Sequence, residues 1–196
     1  MSKLYVNEIH PKTAGGTITT TGFPVVSNVK EIVPLLPDGV AVTVLSGTYT
    51  PQNVTSHQAI NTSWADLTGS VITYTPPTGT THVIYEFQYH YSRHDNHPIH
   101  QIQLYIGGSA VNHAKGVNGA QYAEGDVVFR WIIPIGGSAD ANTGRQATWT
   151  SGKELKLRVK DYKTNNECDI HRTHYWDGAE ENNQFIKPRL QLTAIG

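Results

Sequence analysis

Residues 81–91, THVIYEFQYHY, alternate without a break. Val83, Tyr85, Phe87, Tyr89 and Tyr91 fall on one side, and His82, Ile84, Glu86, Gln88 and His90 on the other. A period of two belongs to extended backbone, so this segment commits the chain to a β-sheet with one strongly apolar face. Further segments repeat the rule. Ile102, Leu104 and Ile106 are in phase, as are Val127, Phe129, Trp131, Ile133 and Ile135. Leu155, Leu157 and Val159 point one way while Lys and Arg point the other. Val40, Val42 and Val44 alternate after Pro34 and Pro37, which disfavour a long helix there. ECDIHRTHYW and FIKPRLQLTAIG supply the last two strands. Roughly eight strands separated by Gly, Pro, Asn and Asp turns, with no 3.6-residue periodicity, predict an all-β antiparallel sandwich or barrel, with the jelly roll fitting that strand number. The C-terminal strand is expected in the middle of a sheet.

The 196 residues suit one medium domain plus an arm. The net charge of −1 and the lack of any Lys/Arg block speak against nucleic acid as a partner. No apolar run approaches the length of a membrane span, and MSKLYVNEIHPK lacks the apolar stretch of a secretory signal. A lone Cys168, in phase with Ile170, excludes an internal disulfide framework and reads as a buried small hydrophobe. Synthesis and folding in a reducing cytoplasm are therefore expected. The first 30 or so residues differ from the rest, being rich in Gly, Thr and Pro. They read either as an extended arm that docks on something else or as a first strand behind a leader. The domain reading is an anchoring arm over 1–35 and a jelly roll over 36–196.

Two polar constellations stand out. His94, Asp95, Asn96 and His97 form a turn between the aromatic strand and the next, with His100 just beyond. The bland reading is a polar hairpin tip. A metal site would need a defined ligand set and supporting partners, so none is expected, and His94, His97 and His100 are weak candidates only. In a homotrimer, one such histidine near the axis would be presented three times and could bind an ion or titrate. The second constellation is Tyr175, Trp176 and Asp177, followed by Glu180 and Glu181. It reads as a carbohydrate platform, or as an aromatic packed in the core or a subunit seam beside a solvated turn. No nucleophile elbow, no distinguishable acid pair, and no phosphate or dinucleotide fingerprint occurs, so no enzymatic activity and no cofactor are expected.

The segment NTSWADLTGSVITYTPPTGTTHVIYEFQYHY resembles the start of a jelly-roll domain found in virion proteins of tailed bacteriophages, marine ones especially. The pattern is carried by Trp64, Asp66, Leu67 and Gly69, the Pro76–Pro77 turn and the strand Val83 to Tyr91. IQLYIGGSAV is similar to the family's following hairpin, and HYWDGAEENNQFIKPRLQLTAIG to its closing turn and final strand. The leader MSKLYVNEIHPKTAGGTIT is similar to those of phage fibre proteins. The resemblance covers roughly residues 52–196, and its motifs are structural. It implies a C1q/TNF-like jelly roll, a homotrimer and a place on the virion, with residues 1–35 contacting other virion proteins. Two roles follow. One is a tail fibre or spike-type appendage whose displayed residues (His94, Asp95, Asn96, His97, Tyr175, Trp176, Asp177) contact a host cell-surface glycan or protein. The alternative is a capsid decoration, cement or head-vertex protein that stabilises the shell. Tyr85, Phe87, Tyr89, Tyr91, Phe129 and Trp131 look like more apolar surface than one small core needs, which argues independently for the trimer.

Overall fold

A computed structural model describes residues 28–92, 98–120, 123–164, 168–174 and 184–196. The described strands are β1 (Val29–Leu35), β2 (Val42–Val44), β3 (Gly47–Tyr49), β4 (Gln58–Ala59), β5 (Ala65–Asp66), β6 (Ile72–Tyr74), β7 (His82–Ser92), β8 (His100–Ile106), β9 (Ser109–Asn118), β10 (Gly125–Pro134), β11 (Lys153–Asp161), β12 (Asp169–Ile170), β13 (Arg172–Thr173), β14 (Gln184–Phe185) and β15 (Arg189–Ile195). Strand β7 pairs with β10 along one edge. Its other edge carries β15 and then the short β12. Strand β1 lies outside β15, and β4 outside β12. The second sheet runs β9, β8, β11, with β6 and β5 end to end on the far side of β11. All of these pairings are antiparallel. Counting the principal strands in chain order, and β5 with β6 as one, the two sheets read 1-8-3-6 and 2-7-4-5. That is the jelly-roll order. The C-terminal strand β15 lies between β1 and β7, inside its sheet as expected.

Inward residues of the two sheets make one core. Tyr85, Phe87 and Tyr89 of β7, Leu104 of β8, Leu155, Leu157 and Val159 of β11, and Leu190 and Leu192 of β15 are all buried. Cys168 is buried as well. The aromatics that suggested a surplus of apolar surface are absorbed here. Phe87 stacks on Tyr89 at 6.0 Å, Tyr85 meets Phe129 edge-on at 6.4 Å, and Trp131 packs against the cluster while its Nε1–H donates to Thr143 O at 2.8 Å. Tyr85, Phe87, Tyr89 and Phe129 are buried in this core, and Tyr91 and Trp131 are half-buried against it, so these aromatics by themselves do not call for a trimer.

Residues 29–35 form β1 and bury Val33 and Leu35, as the alternative of a first strand behind a leader expects, although the domain reading put them in the arm. Pro34 is tolerated because β1 is the outer strand of its sheet. The sheet therefore begins before residue 36. Strand β9 alternates weakly because it is an edge strand that inserts only Val111 and Ala114 into the core.

The Trp64–Gly69 motif is a structural lock. Leu67 is buried, and its N–H donates to Leu157 O. The Ser70 hydroxyl donates to Leu67 O at 2.6 Å and accepts from Leu157 N at 3.1 Å. Gly69 between them has φ +83°, and a Cβ there would lie 2.9 Å from Pro188 and 3.0 Å from Val54. A second lock holds β1. Glu31 is buried, and it accepts from Ser46 N (2.7 Å), Ser46 Oγ (2.6 Å) and Tyr74 Oη (2.9 Å). These bonds tie β1 to the β2–β3 hairpin and to β6. Gly107, with φ +56° and open space around it, is the natural comparison for Gly69. Gly69→Ala should destabilise the fold by at least about 2 kcal/mol, combining backbone strain with the clash. Gly107→Ala should cost about 1 kcal/mol, from backbone alone. Urea unfolding of both variants measures the difference.

Candidate functional site

The strand register separates two ends of the sandwich. At one end, Val29 pairs with Ile195, Ile195 with His82, and His82 with Pro134. The chain comes in and leaves there, with Gly196 N–H donating to Asn28 O at 2.9 Å. At the opposite end, Ser92 pairs with Asp169, and its hydroxyl donates to Arg172 O. His94, Asp95, Asn96, His97, Tyr175, Trp176 and Asp177 lie outside the described residues. The residues that precede those two segments, Ser92 and His174, belong to this far end.

His100, which follows the first segment, is buried. Its Nδ1–H donates to Pro98 O at 3.0 Å, and its Nε2 accepts from Tyr89 Oη at 2.7 Å. Both ring nitrogens are thereby engaged inside the protein, so His100 offers neither to an outside ligand. Its ring packs against Tyr89 and Tyr91. Burial pushes its pKa down to about 4.

His171 is the other buried imidazole. It adopts a left-handed backbone (φ 66°), unusual for a side chain of this size. That conformation makes it a junction. Its N–H donates to His90 O (2.8 Å), its carbonyl accepts from Ile186 N (2.9 Å), and its Nε2–H donates to Thr68 O (2.9 Å). Strand β7, the approach to β15 and the Leu67–Ser70 lock meet on one residue. Its Nδ1 is buried without a partner, so a second proton would have no acceptor. Burial first, and then nearby His90, lower its pKa to about 4. Around it, Asp169 Oδ2 takes Arg172 Nη1 at 2.9 Å and His174 Nε2 at 3.2 Å. Glu124 accepts from Thr173 Oγ1 at 2.9 Å and His174 N at 3.0 Å. Among the described residues, no group of three or more His, Cys, Asp or Glu side chains is arranged to hold a metal ion.

The second surface is the solvent face of the β1–β15–β7–β10 sheet. Its rows follow from the register. Ile132 sits opposite Ile84, Ile84 opposite Thr193, and Thr193 opposite Ile32. The next row is Arg130, Glu86, Gln191 and Pro34. Ile32, Ile132 and Val128 are 49%, 55% and 57% exposed. A row of three isoleucines and Thr193, all β-branched, thus crosses the four strands on the side away from the core, bounded by a long Arg130–Glu86 ion pair of 3.7 Å. The signal was present in the sequence. Val127–Val128 and Ile132–Ile133 are doubled apolar pairs, and Ile84 interrupts an otherwise polar face. A strand with one wet face has no need of them.

No family model matches the sequence, and no curated protein matches it. Two solved structures share a fold-level likeness. One is "Structure of infectious bursal disease virus Gx strain", at 10% identity and TM-score 0.29, covering 80% of this chain and 41% of that one. The other is "Structure of infectious bursal disease virus Gt strain", at 11% identity and TM-score 0.24, covering 83% and 44%. The chain spans less than half the length of either. Scores this low carry no argument about function, and the jelly-roll assignment rests on the strand order.

The two buried imidazoles set the acid response. Each takes a proton more readily in the unfolded chain, where its pKa is near 6.5, than in the fold, where it is about 4. Stability should hold above about pH 7 and fall as pH drops from 6.5 to 4, by roughly 3 kcal/mol for each histidine. Urea midpoints across that range measure it. A loss that begins only below pH 5, where carboxylates titrate, would contradict neutral histidines.

Proposed function

We propose that this protein is a non-enzymatic virion structural protein of a tailed phage, assembled as a homotrimer into a tail fibre or spike-type appendage. The observation that carries the assembly is the aliphatic row Ile32, Ile84 and Ile132 on the solvent face of a continuous four-stranded sheet. Such a face is stable in water only at a cost, and a neighbouring copy removes it. The phage placement rests on the sequence resemblance over residues 52–196. The polarity of the sandwich supports the division of labour. The chain enters at the Val29 end, where residues 1–27 connect and would anchor to other virion proteins. The segments bearing His94 to His97 and Tyr175 to Asp177 start from the opposite end, where they would meet a host glycan or protein.

Ile132→Glu places a charge in the middle of the row without touching the core. Sedimentation should show a trimer for the parent protein and a monomer with unchanged unfolding for the variant. A monomeric parent at micromolar concentration would overturn the assembly. Copy number per particle tests the location: a few to a few dozen copies are expected, whereas hundreds would make the protein a capsid decoration. Changing Trp176 or residues 94–97 should abolish binding of the trimer to host cells, and unaltered binding would exclude those loops as the contact.

A further inference from the structure

Three long strands, β1, β9 and β10, lie at outer edges of the two sheets. An open edge offers unpaired backbone donors and acceptors to any other strand, so folded proteins blunt it. Two of the three are blunted. Strand β1 has a register shift between Val29 and Glu31 and carries Lys30 and Pro34. A register shift also interrupts the pairing of β9 with β8, and the Asn112 and His113 N–H groups of β9 are taken by the Ala141 and Asn142 carbonyls. Strand β10 has none of these devices. It runs in unbroken register with β7 from Gly125 to Pro134, holds no lysine, and has its proline only at the last position.

Hydrogen bonds fix which backbone groups of β10 face outward. Ile135 N–H donates to Thr81 O at the foot of β7, and the adjacent Pro134 carbonyl turns the other way, to Gln146 N. Alternation along the strand then turns the N–H and C=O groups of Asp126, Val128, Arg130 and Ile132 to the open edge. Among the described residues, no hydrogen bond reaches any of these groups. The side chains of the same four residues lie on the solvent face of the sheet. Asp126 holds His90 Nδ1 at 3.0 Å, and Arg130 reaches Glu86 at 3.7 Å. Both side chains are 61% exposed, so each can take a further partner.

We infer that β10 is a docking edge for β10 of a second copy of this chain, antiparallel, with Val128 facing Val128 of the other copy and Asp126 facing its Arg130. The side chains choose both the occupant and the register. Antiparallel pairing of identical strands about a twofold axis repeats every contact. Centred on Val128, it sets Asp126 against Arg130 twice and joins two valines. Centred on Asp126 or on Arg130, it opposes like charges. Centred on Val127 or on Phe129, it sets a charged residue against Val128. One register alone satisfies both charges. This contact joins copies two by two along an edge, goes beyond the isoleucine row on the sheet face, and does not depend on it.

Pairing through one strand is marginal in water, so a covalent trap reads it best. The test is oxidative crosslinking of the full-length protein with one cysteine added on the edge, the parent with its buried Cys168 serving as the blank. Opposed residues of a hydrogen-bonded antiparallel pair lie about 5.5 Å apart at Cα, within reach of a disulfide. Val128→Cys should therefore give a dimer that reductant reverses. Asp126→Cys and Arg130→Cys would each stand about 13 Å from its own counterpart along the strand, and should self-crosslink roughly tenfold more slowly or less. An equal mixture of those two should crosslink at a rate comparable to Val128→Cys, since one Asp126–Arg130 pair survives in it. Asp126→Arg in the Val128→Cys protein should slow the crosslink, and adding Arg130→Asp should restore it. Ile84→Glu charges the face row away from this edge and should leave the Val128→Cys crosslink intact, which separates failure of the face-mediated trimer from failure of the edge. No dimer from Val128→Cys at an unaltered urea midpoint, equal self-crosslinking at all three positions, or a mixture no faster than its components would each overturn the proposal.

Discussion

Strand β7 is hydrogen-bonded along both edges, to β10 on one side and to β15 and β12 on the other. An eleven-residue strand in that position must present an uninterrupted apolar face to the core, and Val83, Tyr85, Phe87 and Tyr89 do so at essentially zero exposure. The rest of the sandwich is arranged around that face. The opposing sheet supplies Leu104, Leu155 and Leu157 against it. Its phenol groups then need partners, because a buried hydroxyl without one is costly. Tyr85 finds Ser70 O at 2.7 Å, and Tyr89 finds His100 at 2.7 Å. One strand's pattern therefore fixes the Leu67–Ser70 turn at one place and the start of β8 at another.

This explains why the polar residues read as functional divide as they do. His100 belongs to the core as the acceptor for Tyr89, and its proximity in sequence to His94 and His97 says nothing about a shared ligand. The aromatics of β7 and β10 likewise pack into or against the one core. The opposite parity of the same strands leaves Val128 and Ile132 exposed and Ile84 half-exposed. Both faces of β7 and β10 are thus partly apolar. That is how a sheet buried on two sides is composed, although only one side is covered within a single chain.

Where β12 replaces β15 beside β7, His171 bridges the gap in a left-handed conformation. Three backbone and side-chain hydrogen bonds and an edge contact with Phe87 converge on it. A neutral imidazole is required, since protonation would leave a buried charge facing only a carbonyl. The fold is in this way coupled to pH toward the far end of the sandwich, where the Gly69 lock meets His171 through Thr68, while the Glu31 lock ties β1 near the base.

The sequence by itself determined the all-β class, the inward phase of β7, β8, β10 and β11, and the burial of Cys168, all from period-two alternation, a local property that survives without knowledge of any partner; the interior place of the last strand was expected from its terminal position. Tertiary structure alone decided that Val29–Leu35 completes a sheet, because an edge strand with a proline carries little pattern of its own. It also decided that Asn112 to Lys115 belong to a strand, since β9 contributes only two residues to the core. The same holds for His100 and His171, whose roles are set by contacts with Tyr89 and Thr68 that no local pattern encodes.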